Sequence, residues 1–306
     1  MIEPLLLWAS ALLTAPLFAG VILKVKAFFG GRKGSPLLIH YYTLVKLCKK
    51  GSVYSASTTF IFRLGPIVSL AAAAAVLLFL PMGGRAPVLS FDGDVIFVLY
   101  LLGLARFFTI AAAMDTASPF EGMGAAREAY FPIICEASMF MILILFYRLS
   151  GDLNFAAFFS GEQPQGFWQT AGSPLLFVAI SLFIILLTEN ARVPVDDPAT
   201  HLELTMIHEV MVLDHSGPDF ALIEMGAFLK LFFYASMVAR LILPFELGHP
   251  VLNLGMFSLA LLLVYAAVGV TESVTARYRM DRVPKFVLTS FALAFFATVI
   301  TLEFLR

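Results

Sequence analysis

Residues 60–82 read FIFRLGPIVSLAAAAAVLLFLPM, an apolar run whose one charged residue is Arg63. About 20 residues of α-helix, each rising about 1.5 Å, cross the roughly 30 Å hydrocarbon core of a bilayer. The apolar residues are continuous rather than alternating with polar ones, and the alanines at 71–75 favour a helix over a strand. This stretch therefore predicts a transmembrane helix.

Seven further apolar runs of similar length occur along the 306 residues, and the eight runs together decide the class of protein. Hydrophobic residues make up 60% of the chain and charged residues 13%, about half the charged share of an average soluble domain. That composition excludes a disordered chain, a secreted disulfide scaffold and an ordinary cytosolic enzyme. We predict one all-α integral membrane domain over residues 1–306, with spans at 3–23, 60–82, 94–113, 130–149, 172–189, 221–243, 251–270 and 286–304.

The charge and cysteine content narrows the possible partners and cofactors. The formal net charge is −1 and the chain has no tract of Lys and Arg, so we predict no nucleic-acid partner. The two cysteines, Cys48 and Cys135, are far apart and form no CxxC pair. The chain alone therefore cannot hold an iron–sulfur cluster or a four-cysteine zinc site.

The basic residues are distributed unevenly between the two sides of the predicted bundle. Fifteen of the 20 Lys and Arg residues fall in or beside four connections, four fall on the other side, and Lys230 lies inside a span. Cytoplasmic loops of membrane proteins carry the excess of Lys and Arg. We therefore predict that the cytoplasmic loops are 24–59, 105–129, 190–220 and 271–285, with both termini outside.

The segment SPLLIHYYTLVKLCKK at 35–50 is too short and too polar to cross a membrane. Ser35 can cap the start of a helix, and Pro36 suits the first helical position. One predicted face carries Leu37, Leu38, Tyr41, Leu44, Val45 and Cys48, and the other carries largely His40, Thr43, Lys46 and Lys50. We predict an amphipathic helix lying in the membrane interface. It serves either as an anchor or in docking a partner or gating a lateral opening.

Several ionisable residues lie where an apolar span would exclude them. A charged side chain at the bilayer centre costs about 2.5–3.5 kcal/mol, so we expect the retained ones to have a use. They are Glu136, Glu189, Glu224, Lys230 and, after the seventh span, Glu272. Glu128 and Glu136 are eight positions apart and share a helix face, which suits a proton path. The alternative for Glu136 and Lys230 is a passive ion pair between helices.

The segment 188–220, TENARVPVDDPATHLELTMIHEVMVLDHSGPDF, holds seven acids and the single base Arg192. Repulsion among acids packed this densely should raise their pKa values, which suits proton exchange near neutral pH. The alternative is a solvated acidic loop that binds a basic partner. His201, Glu203 and His208 do not form an HExxH motif, and we predict no metal site in this chain.

An ordered set of motifs along nearly the whole chain resembles a known family of membrane subunits. The motifs are SPLLIHYYTLVKLCKKGSV at 35–53, FRLGP at 62–66, ARFF at 105–108, MDTASPFEGMGAAREA at 114–129, ENARVPVDDPATHLEL at 189–204, LDHSG at 213–217 and ARYRMDRVPK at 276–285. The family is that of the subunit (1 or H) that anchors the peripheral arm of respiratory complex I. FEGMGAAREA at 120–129 looks more like the counterpart in group 4 membrane-bound hydrogenases of the formate hydrogenlyase type.

The resemblance implies a bundle of about eight tilted helices in a bacterial or archaeal cytoplasmic membrane, packed beside antiporter-like subunits. It implies cytoplasmic loops that hold a peripheral arm made of a nickel–iron hydrogenase-like large subunit and iron–sulfur subunits. Those partners would carry the nickel–iron centre and the iron–sulfur clusters, and this chain no cofactor of its own. Its function would be to anchor the arm and couple redox chemistry to proton or ion translocation.

The resemblance also implies which residues carry protons. Matched residue by residue, they are Glu128, Glu136, Glu189, Asp196, Glu203 and Asp214, and we add Glu224, near the start of the sixth span, to complete the proposed relay. We expect Arg127, Arg192, His201 and Lys230 to support it, the arginines by pairing with neighbouring carboxylates and His201 as a proton shuttle.

Three other interpretations of the sequence remain open. The first is the quinone-chamber subunit of an NADH-quinone oxidoreductase, although Ala199 and His201 stand where quinone-type members carry glutamates. The second is a stand-alone cation or proton transporter, which the absence of a clear internal repeat disfavours. The third is a purely structural anchor with degenerate proton groups.

Overall fold

A computed structural model describes residues 2–161, 163–197, 206–244 and 247–304. Its helices are α1 Ile2–Phe29, α2 Ile39–Cys48, α3 Phe60–Val76, α4 Asp94–Asp115, α5 Pro119–Ser150, α6 Phe155–Phe159, α7 Gln163–Glu189, α8 Gly217–Ile242, α9 Pro250–Val274 and α10 Val283–Phe304. Eight of them, all but α2 and α6, are long and apolar enough to cross a membrane, which confirms the predicted all-α bundle.

The long helices alternate in direction, which defines two ends of the bundle. At one end, called here the loop end, α1, α4, α7 and α9 finish and α3, α5, α8 and α10 begin. At the opposite end, called the far end, α1 begins and α10 finishes. The helices α7 and α8 are the most buried, with 61% and 67% of their central stretches inside the protein. Several polar side chains on these two helices, among them Ser181, Glu189 and Ser236, therefore lie in the interior of the bundle.

The predicted loop 105–129 is wrong. The helix α4 continues to Asp115, and α5 begins at Pro119 after a three-residue connection. Proline suits the first helical position, where its missing N–H leaves no hydrogen bond unmade. Gly124 lies within α5 at a close approach to the segment before α8, where a Cβ would collide with the side chain of Val210.

The predicted amphipathic helix is present as α2, but its faces differ from the prediction. His40, expected on the polar face, packs edge-on against the ring of Phe228 in α8, with ring centres 4.6 Å apart. The hydroxyl of Tyr41 donates to the backbone oxygen of Leu13 in α1. Burial and the nearby Arg192 guanidinium lower the pKa of His40, so its ring remains neutral at pH 7. Because its imidazole is neutral, His40 can face the bundle. Val45, which was expected on the apolar face, is exposed.

Candidate functional site

Arg106 of α4 lies at the centre of a cluster of ion pairs inside the bundle. Its Nη1 lies 2.5 Å from Oε1 of Glu136, and its Nη2 lies 2.8 Å from Oε1 of Glu189. Its Nε lies 4.0 Å from Oε1 of Glu128. Nζ of Lys230 adds a second cation 2.9 Å from Oε2 of Glu189. Four helices therefore contribute to one cluster, called here the Arg106 cluster.

The local sequence explains why these side chains meet. Glu128 and Glu136 lie on one continuous helix, and their spacing of eight positions brings both carboxylates to the same side of α5. Glu189 is the last residue of α7, and Lys230 lies midway along α8. Since α7 and α8 are the central helices, the side chain of Glu189 is only 2% exposed. Its two cationic partners offset the cost of burying that carboxylate.

Four members of the Arg106 cluster, Arg106, Glu128, Glu189 and Lys230, line a cavity of about 70 Å³ between α3, α4, α5, α7 and α8. That space is enough for a few water molecules, each of which needs several polar partners. Ser69, Thr109 and His208 add such groups to the wall. With all groups ionised, the three carboxylates exceed the two cations by one negative charge. The cluster therefore combines an excess carboxylate with a space large enough for water.

Three of the predicted relay residues, Glu128, Glu136 and Glu189, meet in this cluster. Lys230 pairs with Glu189 rather than with Glu136. Arg106 was missed because the sequence prediction assigned it to a loop. Its place in the ARFF motif, next to an apolar span, is the signal that could have identified it.

Asp196 links the segment after α7 to described residues before α8 and after α9. Its carboxylate is buried, lies 2.7 Å from Nη2 of Arg277 and accepts backbone N–H bonds from Ile207 and His208. Because both carboxylate oxygens already have partners, the contacts of Asp196 are those of a structural tie between two loops. The repulsion expected among the acids of this segment is replaced here by pairing with a base.

Arg192 makes the carboxylate contact that the sequence predicted, and its partner is Glu272 of α9. Nη1 of Arg192 lies 3.4 Å from Oε1 of Glu272, and Nζ of Lys26 lies 2.9 Å from Oε2. This triad joins α1, α9 and the segment after α7. Arg127 donates to the backbone oxygen of Met206, at 2.7 Å.

The remaining predicted relay residues lie apart from the Arg106 cluster. Asp214 is exposed, and its backbone N–H donates to the carboxylate of Glu121. Glu224 is partly buried on α8, between the loop end and Lys230. Glu203 and His201 lie outside the described residues. Within the described ranges, no group of three or more His, Cys, Asp or Glu side chains is arranged to hold a metal ion.

His215 lies just before α8 and stacks on Phe62 of α3, with ring centres 3.9 Å apart and planes 8° apart. Burial lowers the pKa of His215 to about 4, although the nearby Asp219 and Asp214 oppose the shift. The neutral ring therefore stabilises the junction between α3 and α8 at neutral pH.

Fold and site together define a polytopic membrane protein with a cluster of ion pairs between four of its helices. The chain belongs to the family described as NADH dehydrogenase (NADHdh), which matches residues 2–302. The resemblance inferred from the sequence motifs is thereby confirmed.

Curated relatives extend over nearly the whole chain. Hydrogenase-4 component C of Escherichia coli (strain K12) is 28% identical over 294 residues, covering 94% of this chain and 91% of the relative. Formate hydrogenlyase subunit 4 of the same organism is 27% identical over 306 residues, covering 98% and 96%. The H subunit of NADH-quinone oxidoreductase from Burkholderia vietnamiensis (strain G4 / LMG 22486) is 26% identical over 245 residues, covering 75% and 67%.

A solved structure has the same fold. A chain of the membrane-bound sulfane sulfur reductase (MBS), an archaeal respiratory membrane complex, superposes with a TM-score of 0.80. The match covers 98% of both chains at 20% sequence identity.

The burial of His215 makes stability depend on pH. In the unfolded chain His215 takes up a proton below a pH of about 6.5, whereas in the folded chain it does so only near pH 4. The contribution of this residue to stability is therefore fully present above pH 6.5 and falls as the pH decreases. We expect the wild type to lose about 2 kcal/mol through this group between pH 7.5 and 5. Thermal unfolding of the detergent-purified protein should show a smaller loss for His215→Phe, which keeps the stack. His249→Asn, at an exposed histidine, is the control, and an unchanged pH dependence in His215→Phe would contradict the assignment.

Removing Arg106 should destabilise the bundle, because it leaves buried carboxylates without their main cation. We expect Arg106→Gln to reduce the free energy of unfolding by about 3–5 kcal/mol, as for other broken buried ion pairs. Adding Glu189→Gln should recover part of that loss, since it removes the most buried of these carboxylate charges. Denaturant unfolding in detergent measures both, with Arg279→Gln, at an exposed arginine, as the control. A double variant no more stable than Arg106→Gln would show that Arg106 acts by packing instead.

Proposed function

We propose that this chain is the membrane subunit of a complex I-like, group 4 hydrogenase-type oxidoreductase. In that role it anchors the peripheral electron-transfer arm and couples the redox chemistry there to proton or ion translocation. Its relatives from Escherichia coli, hydrogenase-4 component C and formate hydrogenlyase subunit 4, match this chain over more than nine tenths of its length. This chain would bind no redox centre, and the nickel–iron centre and iron–sulfur clusters would lie in the partner subunits.

The observation that carries the proposal is the Arg106 cluster beside its water-sized cavity. A structural ion pair needs one carboxylate for each cation, whereas this cluster has three carboxylates and two cations. A surplus negative charge inside a membrane raises the free energy of the cluster, and a proton shared among the carboxylates removes that surplus charge. A change in the peripheral arm that shifted either cation would release or take up that proton.

The other predicted relay residues extend the proposal toward the loop end. Glu224 lies on α8 between the loop end and Lys230, and Asp214 is exposed just before the same helix. Together with Glu203 and His201, they would connect the Arg106 cluster to the cytoplasm and the peripheral arm. Arg127 and Arg192 would hold the segments that carry these acids.

The partly exposed carboxylate of Glu136 supports a neighbouring membrane subunit on the α4–α5 face. The side chain is 44% exposed and borders a groove of about 450 Å³ that Tyr100, Phe107 and Phe140 line. Contact with lipid would cost a carboxylate at this depth about 2.5–3.5 kcal/mol. A transmembrane helix of an antiporter-like subunit, packed in this groove with a polar group facing Glu136, would remove that cost.

The orientation follows from the same assignment. The loop end, with the connections of residues 30–59, 190–216 and 275–282, would face the cytoplasm and hold the peripheral arm. Both termini would then lie outside, since α1 begins and α10 ends at the far end. The protein would be a multi-pass subunit of a bacterial or archaeal cytoplasmic membrane.

A second candidate is the quinone-chamber subunit of an NADH-quinone oxidoreductase, because the Burkholderia vietnamiensis relative from that enzyme also matches. Mild detergent purification of the tagged chain from its native membranes, followed by mass spectrometry, distinguishes the two. We expect a nickel–iron large subunit, iron–sulfur subunits and antiporter-like proteins. An NADH-oxidising module would favour the second candidate, and a chain without partners would contradict both.

We expect Glu136→Gln to separate electron transfer from proton movement. The amide keeps the side-chain shape and a contact with Arg106 but cannot carry a proton as a carboxylate does. In sealed inverted membrane vesicles, the redox activity should remain within about twofold of wild type while coupled proton uptake falls about tenfold or more.

Asp152→Asn, at an exposed aspartate of the far end, is the matched control and should leave both rates unchanged. Full coupling in Glu136→Gln, with the complex assembled normally, would rule out a proton-carrying role for this residue.

A further inference from the structure

A membrane-facing groove at the far end of the bundle lies on the opposite side of the protein from the Arg106 cluster. It runs between the first turns of α1, the first turns of α9 and the tight turn at 82–85, and its volume is about 350 Å³. Leu6 and Val251, which line it, are 62% and 81% exposed. The volume falls within the range of pockets that hold small ligands.

An ion pair closes the groove at the level where a bilayer becomes polar. Nη1 of Arg85 lies 2.8 Å from Oε2 of Glu3, and both side chains remain partly open to the outside, at 41% and 68% exposed. From Glu3 the groove follows α1 to Ser10, a distance of about 10 Å along the helix axis. It therefore extends from headgroup depth into the hydrocarbon layer.

The backbone of the turn at 82–85 fixes the position of Arg85. Gly83 and Gly84 have φ values of +55° and +77°, which favour glycine, and the N–H of Arg85 bonds to the oxygen of Met82 at 3.0 Å. A Cβ on Gly83 would lie 3.2 Å from Cα of Leu254, so the turn is pressed against α9. The backbone thus holds the guanidinium above the apolar wall, next to Glu3.

We propose that this groove binds one zwitterionic phospholipid of the phosphatidylethanolamine type. An acyl chain lies along the apolar wall, the phosphate contacts the guanidinium of Arg85, and the ammonium contacts the carboxylate of Glu3. The guanidinium has five N–H donors and can serve a carboxylate and a phosphate at once.

Charge complementarity selects this headgroup. Among the described residues that line the groove, one acid and one base lie side by side, so a headgroup with one charge of each sign is neutralised at both positions. An anionic headgroup would meet Arg85 favourably but would bring a second negative charge next to Glu3. A diacylglycerol would fill the groove and leave the ion pair without a partner.

Native mass spectrometry of the delipidated full-length chain tests the proposal, with synthetic phosphatidylethanolamine, phosphatidylglycerol or diacylglycerol added back. We expect the first phosphatidylethanolamine to bind about fivefold or more tighter than the other two lipids. Arg85→Ala should weaken the binding of phosphatidylethanolamine about tenfold, the usual effect of losing one charge-assisted hydrogen bond. Ser10→Trp, which fills the groove and keeps the ion pair, should weaken it to a similar extent.

Arg148→Ala removes another exposed arginine of the far end, at the last turn of α5, and should bind all three lipids as the wild type does. Thermal unfolding of each variant verifies that it is folded before lipid is added. Equal binding of phosphatidylglycerol or diacylglycerol, or wild-type binding by either Arg85→Ala or Ser10→Trp, would overturn the proposal.

Discussion

The electrostatic balance around Glu189 constrains the packing of the whole bundle. A carboxylate that is 2% exposed at the end of the central helix α7 is tolerated only with cations in contact, and Arg106 and Lys230 supply two. One cation comes from α4 and the other from α8. Those helices must therefore approach α7 at the same depth, and α3 fills the space between α4 and α8.

The same balance gives the site its chemistry. Because Arg106 is shared with Glu136 and Glu128, the charge on each carboxylate depends on where the guanidinium lies. In the proposed function, a small displacement of α4 or α8 would therefore change which acid holds a proton, and the cluster would convert that movement into proton transfer.

Asp196 and Glu272, near the loop end, belong to a different category, that of structural ties. Asp196 joins the segment after α7 to the segment after α9 through Arg277, and Glu272 joins α1 to Arg192 through Lys26. These contacts tie the connecting segments to one another, which suits a surface that must hold a peripheral arm. The density of acids in the sequence does not separate the two categories, because both structural ties and proton carriers are carboxylates.

The helical class, the eight spans, the family and the meeting of Glu128 with Glu136 could all be predicted from the amino-acid sequence. Hydrophobic run length and helical periodicity are local properties of the chain, and they specify the helices and the spacing of Glu128 and Glu136 without reference to the rest of the fold. The ordered motifs indicate the family in the same way. The packing of the helices was needed to show that Arg106 lies inside the bundle, that Lys230 pairs with Glu189, and that His40 of α2 turns toward α8. Each of these contacts depends on which helices are neighbours. Pairing between side chains as distant in the chain as Arg106 and Glu189, 83 positions apart, leaves no periodic trace in the sequence.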